Sequence, residues 1–124
     1  MEVCELYEPF RKKLSEDGFN VLKEGDFLKV VVEKRYNAVV ANPPFSRQQD
    51  IDHVSKMLDV VKPGGVVVSV MSAGIEFREN KKTKEFKEKL DRECSKWSVE
   101  KLPENSFKES GTEVNSVIIV AVKR

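Results

Sequence analysis

The sequence has few of the residues that build metal centres or disulfide frameworks: two cysteines and one histidine in 124 residues. Cys4 and Cys94 stand far apart with no CxxC partner, so neither a zinc site nor a disulfide is expected, and each thiol reads as a small buried hydrophobe. On the element pattern, Cys4 falls in a strand, Cys94 on a helix, and His53 on the solvent side of another helix. Long apolar runs are missing as well. Nothing approaches the ~20 residues of a membrane span, and Met1-Glu2-Val3 does not open like a signal peptide, so the expectation is a cytoplasmic protein with no membrane partner. Charge of one sign is not in excess, with 22 Lys and Arg against 21 Asp and Glu. A nucleic-acid contact would therefore need a local patch, and Lys81, Lys82, Lys84, Lys87 and Lys89 form one, either as a solvated helix face or as a phosphate-contacting edge. Repeats and low-complexity tracts are absent.

What remains is the pattern of an ordinary globular chain, read as a single domain over residues 1–124. A short extended start, Met1 to Leu6, leads to a helix over Tyr7 to Asp17, with Pro9 in its first turn and Gly18 at its stop. A strand at Phe19 to Leu22 is followed by the acidic turn Glu24 to Leu28. Tyr36 to Ala41 is an apolar run of the kind buried on both faces of a parallel sheet. A helix over Gln48 to Val61 places Ile51, Val54, Leu58 and Val61 on one stripe. Lys62-Pro63-Gly64-Gly65 makes a tight turn into a strand at Val66 to Met71. A helix over Asn80 to Lys96 spaces Phe86, Leu90, Cys94 and Trp97 on one face, and strands near Ser98 to Leu102 and Val114 to Val122 close the chain. The long loop between them, Pro103 to Glu113, carries Phe107, Lys108 and, next to its end, Thr112, and is expected at the substrate wall. The fold class is α/β, a mostly parallel sheet with an antiparallel edge pair, in which ligands bind outside the carboxyl ends of the strands.

Directly after the Tyr36 to Ala41 run comes Asn42-Pro43-Pro44-Phe45. A string of this type arises by chance in about 0.5% of chains this long, given ordinary proline usage, so it is read as chemistry. Each proline fixes φ and removes an N–H, which leaves a stiff corner rich in carbonyl acceptors. An exocyclic amine on a nucleobase is a poor nucleophile because its lone pair is delocalised into the ring. The side-chain oxygen of Asn42 and the carbonyl of Pro43 are two acceptors for its two hydrogens, which localises that lone pair. Phe45 supplies a face for the planar ring, an interaction worth about 1–3 kcal/mol.

With these residues in view, the chain resembles class I S-adenosylmethionine-dependent methyltransferases, of the type that methylates adenine N6, over almost its full length. The matching segments are Asp26-Phe27-Leu28, Tyr36 to Phe45, the Lys62 to Gly65 turn, and Ser106 to Thr112 before the last strand. The resemblance implies a Rossmann-like methyltransferase sheet and transfer of a methyl group to an exocyclic amine of a nucleobase, adenine N6 in DNA first, with S-adenosylmethionine as cofactor. Because the tetrapeptide reads a planar amide or amidine shape rather than a polymer, RNA adenine and a protein glutamine stay open as substrates. It puts Glu5 against the ribose hydroxyls of the cofactor, Asp26 and Phe27 around its adenine, and Asn42, Pro43, Pro44 and Phe45 on the catalytic motif.

One family element is missing from the sequence. The family begins with a strand and a turn of Asp/Glu-x-Gly-x-Gly character that receives the methionine end of the cofactor, and none of the six glycines here stands in that arrangement. The expectation is an N-terminally truncated sheet that starts at the family's second strand. Such a sheet belongs to a longer or split enzyme, closes its two inner edges on each other, or is completed by a second chain or a second copy. The alternative function is a degenerate, non-catalytic domain that binds a partner chain or nucleic acid.

Overall fold

The computed structural model describes residues 2–5, 7–31, 36–102 and 115–124. They fall into two compact units, Met1–Glu33 and Lys34–Arg124.

In the first unit, strand β1 (Glu2–Val3) pairs in parallel with β2 (Asn20–Val21), and helix α1 (Glu8–Glu16) connects them. A parallel pair needs a crossover of this kind, since a tight hairpin can join only antiparallel strands. Arg11 fastens the helix to the chain leaving both strands: its guanidinium donates to the carbonyls of Glu5 at 2.7 Å, Leu22 at 2.9 Å and Lys23 at 3.2 Å. Tyr7 and Phe10 meet edge to face at 4.9 Å.

The second unit contains β3 (Tyr36–Ala41), α2 (Gln49–Val60), β4 (Val61–Ser72), α3 (Lys81–Glu93), β5 (Cys94–Lys101) and β6 (Ser116–Lys123). Its sheet has the order β3-β4-β6-β5, with β3 parallel to β4 and the other two pairs antiparallel. The fold is thus α/β with a mixed sheet, in which β6 runs against both its neighbours and forms an antiparallel edge pair with β5. Alternation decides the core. Val67, Ser69 and Met71 of β4 lie opposite Ala121, Ile119 and Val117 of β6, and this row is buried. Helix α2 packs on β4 and on α3, and α3 packs on β5. Val54, Met57, Leu58, Phe86 and Leu90 are each at most 3% exposed, and each such burial stabilises by about 1.5–3 kcal/mol.

The structure corrects the sequence reading at several places, one of which is Val61: it opens β4 instead of closing the α2 stripe. Helix α3 stops at Glu93 rather than running to Lys96. Cys94 has extended backbone, pairs with Lys123, and sits buried at the start of a strand, because cross-strand pairing outweighs the helical spacing that continues through Trp97. Lys62 to Gly65 is not a turn ahead of the strand but a bulge inside β4, since Tyr36 pairs with Val61 and Ala38 with Val66. Gly64 takes φ +82°, and a Cβ on Gly65 would come within 2.5 Å of Val61 Cγ2 and 2.8 Å of the Asn37 carbonyl. Strand β3 is not buried on both faces: among the described strands it pairs only with β4, and Val40 is 76% exposed. His53 is half-buried on α2 rather than solvent-facing.

The basic run on α3 is partly paired. Lys82 meets Asp52 of α2 at 2.9 Å, and Lys89 meets Asp59 at 2.9 Å while also donating to the Ser55 hydroxyl. Across the base of the unit, Lys123 of β6 meets Glu93 at 2.7 Å and donates to the Leu58 carbonyl at 2.9 Å.

Candidate functional site

Strands β3 and β4 run in parallel, so their carboxyl ends lie side by side, with Ala41 opposite Ser69. The Asn42 to Phe45 segment leaves the end of β3. Pro43 is buried and anchors the corner, Asn42 and Pro44 are exposed, and Phe45 is half-buried. Among the described residues, no hydrogen bond engages the Asn42 amide. The loop thus presents an exposed amide acceptor beside a half-buried aromatic ring.

Behind Phe45 the backbone makes a 3₁₀ turn, Ser46–Gln48, in which Arg47 and Gln48 hold φ of 55° and 56°. Left-handed backbone costs a non-glycine residue roughly 1–2 kcal/mol. The surroundings hold the turn in place. The Gln48 N–H donates to the Phe45 carbonyl at 3.1 Å. The Gln48 side chain donates to Thr83 Oγ1 and accepts from Asn80 Nδ2, both at 3.0 Å, and Lys82 Nζ donates to the Arg47 carbonyl at 3.3 Å.

Asp50, in the first turn of α2, is 2% exposed. One carboxylate oxygen accepts from the Ser72 N–H at 2.9 Å and the other from the Ile51 N–H at 3.1 Å. Burial raises its pKa above the ordinary 3.8, while those N–H bonds and the nearby Arg78 charge act against the rise. Ser72 ends β4 and its hydroxyl accepts from the Gly74 N–H at 3.3 Å, starting the turn Ala73–Glu76. Asp50 therefore ties the segment after the Asn42 loop to the end of the neighbouring strand. Neither Asp50 nor Gln48 stood out in the sequence. Asn80, three residues before Thr83, does carry a helix-cap signature, and its Oδ1 accepts from the Thr83 N–H at 2.9 Å.

The first unit holds the other expected site residues at the ends of its own parallel strands. The Cys4 thiol donates to the carbonyls of Glu24 at 3.2 Å and Gly25 at 3.4 Å, which draws the segments after β1 and β2 together. Burial raises the Cys4 pKa, so the thiol stays protonated. Glu5 Oε1 accepts from the Tyr7 N–H, and Asp26 Oδ1 accepts from the Leu28 N–H, each at 3.0 Å. Each carboxylate is thereby oriented with its second oxygen left as a further hydrogen-bond acceptor. Phe27 follows, half-buried, at the start of the turn Phe27–Lys29. Phe107, Lys108 and Thr112 lie outside the described residues.

The architecture is that of the Rossmann-like class I methyltransferases. No family model and no curated protein matches the sequence, but solved structures match the fold. A protein from Listeria monocytogenes described as a class I S-adenosylmethionine-dependent methyltransferase superposes with a TM-score of 0.68 at 14% identity, over 90% of this chain and 39% of that one. The M protein of the type I restriction enzyme EcoKI matches with a TM-score of 0.67 at 18% identity, over 88% of this chain and 25% of that one. An rRNA methylase from Streptococcus thermophilus matches with a TM-score of 0.58 at 16% identity, over 98% of this chain and 72% of that one. The chain thus spans well under half the length of the first two.

Proposed function

We propose that this chain is an S-adenosylmethionine-dependent amino-methyltransferase, or the C-terminal part of one, acting on adenine N6 in DNA. The observation that carries the reading is the Asn42 to Phe45 loop at the carboxyl end of β3, stiffened by two prolines, with an exposed Asn and a half-buried Phe, in a fold shared with methyltransferases. Asn42 Oδ1 and the Pro43 carbonyl accept the two hydrogens of the amine and aim its lone pair, while Pro44 holds the corner and Phe45 stacks on the base. The base must be flipped or single-stranded to reach such a loop. S-adenosylmethionine, when bound, supplies the electrophilic methyl group. Glu5 takes its ribose hydroxyls, and Asp26 and Phe27 its adenine. On this reading Phe107, Lys108 and Thr112 are assigned to substrate binding, and residues 1–124 are treated as a single methyltransferase-like domain.

Calorimetric titration with S-adenosylmethionine and S-adenosylhomocysteine, followed by methyl-transfer assays on adenine-containing oligonucleotides, tests this. Asn42→Ala is expected to lower turnover by about 100-fold to 1000-fold with cofactor affinity unchanged, by analogy with loss of one transition-state hydrogen bond. A variant within a few-fold of wild type ends the catalytic reading of the loop.

The competing reading is a non-catalytic domain that binds a partner chain or nucleic acid. The lack of an Asp/Glu-x-Gly-x-Gly turn in the sequence favours it. It predicts no titration heat with either cofactor form.

A further inference from the structure

The turn behind the Asn42 to Phe45 loop is held from outside the loop. Gln48 is tied at three atoms: its N–H to the Phe45 carbonyl, its Nε2 to Thr83 Oγ1, and its Oε1 to Asn80 Nδ2. Asn80 Oδ1 accepts from the Thr83 N–H, which closes a ring between this turn and the first turn of α3. The ring permits one orientation of each amide. Because the Asn80 oxygen is taken by a backbone donor, its nitrogen faces Gln48, which must then present its own oxygen there and its nitrogen to Thr83. Thr83 is fully buried, so the anchor point is part of the core. The same ring restrains two consecutive left-handed residues, Arg47 and Gln48, a conformation that persists only where its surroundings over-determine it.

Resting on the functional reading above, we propose that Gln48, held by Asn80 and Thr83, is a positioning residue for the amine chemistry of the loop. It fixes the Phe45 carbonyl, and through it the placement of the Phe45 ring and of Asn42, against the rigid start of α3. A side chain that fills this place must accept from Asn80 and share a hydrogen bond with the Thr83 hydroxyl, and it must span the gap between the turn and the helix. Gln meets both conditions, whereas Asn is one carbon shorter.

The test uses the full chain with S-adenosylmethionine and single-stranded or duplex adenine oligonucleotides, together with amide hydrogen exchange. Asn80→Ser keeps a capping oxygen for the Thr83 N–H but has no amide nitrogen and is too short to reach Gln48. Gln48→Ala removes the link from the other side. Gln48→Glu keeps an acceptor for Asn80 and accepts the Thr83 hydroxyl proton. The first two variants are expected to lose roughly tenfold to 100-fold in turnover, the scale of a misplaced reacting group, at unchanged S-adenosylmethionine affinity. Exchange at the backbone N–H of residue 48 should quicken about tenfold or more, with α3 unchanged. Gln48→Glu should retain most of the turnover. If Asn42→Ala is inert while Asn80→Ser and Gln48→Ala turn over like wild type, the positioning role is overturned and the functional reading stands. Turnover loss without faster exchange at Gln48 overturns it too. No transfer by wild type under any of these conditions sinks the functional reading and this proposal with it.

Discussion

Gly64 and Gly65 sit together in the bulge of β4, and the structure requires glycine at each for a different reason. Gly64 has φ +82° with nothing within 4 Å of a Cβ added there, so Gly64→Ala pays only the left-handed conformation, roughly 1–2 kcal/mol. Gly65 has no such φ but no room. A Cβ would lie 2.5 Å from Val61 Cγ2 and 2.8 Å from both the Asn37 and Lys62 carbonyls. The Val61 methyl could turn away, but two backbone oxygens cannot, so β3 must move off β4 at the bulge. Overpacking of this kind costs about 1–3 kcal/mol, and weakened pairing of Ala38 with Val66 adds to it. At about 4 °C per kcal/mol the overpacking alone lowers the melt of Gly65→Ala by about 4–12 °C, and with the weakened pairing added this protein is expected to melt below Gly64→Ala. Because Asn37 lies on the strand that ends in the Asn42 loop, methyl transfer should fall further in Gly65→Ala than in Gly64→Ala. Thermal and urea melts of the three proteins decide the stability order. A Gly65→Ala protein as stable as Gly64→Ala would refute the steric argument.

Asp50→Ala should destabilise by about 1–3 kcal/mol, because it strands the buried Ser72 N–H, and urea titration would show it. Since burial raises the Asp50 pKa, the part of stability linked to its proton is fully present below the ordinary 3.8 and is lost as pH rises through the raised value; Asp50→Asn should abolish that segment of the stability–pH curve. Glu93 runs the other way. Burial pushes its pKa up, but the Lys123 hydrogen bond and the Lys89, Lys123 and Arg92 charges outweigh this and hold it below the ordinary 4.5. Its contribution is present above 4.5 and lost as pH falls through the lowered value, so Lys123→Met should cost about 1 kcal/mol at neutral pH and little in acid, read from melts across that range. If a second copy or another chain completes the sheet, the melting temperature should rise with protein concentration across a hundredfold dilution series; a compact monomer with a constant melt excludes completion in trans.

Much of this protein was legible in its sequence because the governing physics is local. The Tyr36 to Ala41 strand, the Ile51, Val54 and Leu58 stripe of α2, and the Pro9 start of α1 each follow from side-chain period or from proline's fixed φ, which need no partner to be read. The Asn42 to Phe45 corner was legible for the same reason, since two consecutive prolines stiffen a chain wherever it goes. Tertiary pairing decided the rest. Cys94 left the helix because Lys123 lies opposite it in the sheet. Lys62 to Gly65 became a bulge because Val61 already pairs with Tyr36. Asp50 and Gln48 acquired their roles from Ser72, Asn80 and Thr83, which stand 22, 32 and 35 residues away from them in sequence. A carboxylate or an amide carries no mark of which distant N–H, carbonyl or hydroxyl will meet it, because that depends on strand order and helix packing, which exist only once the chain has folded.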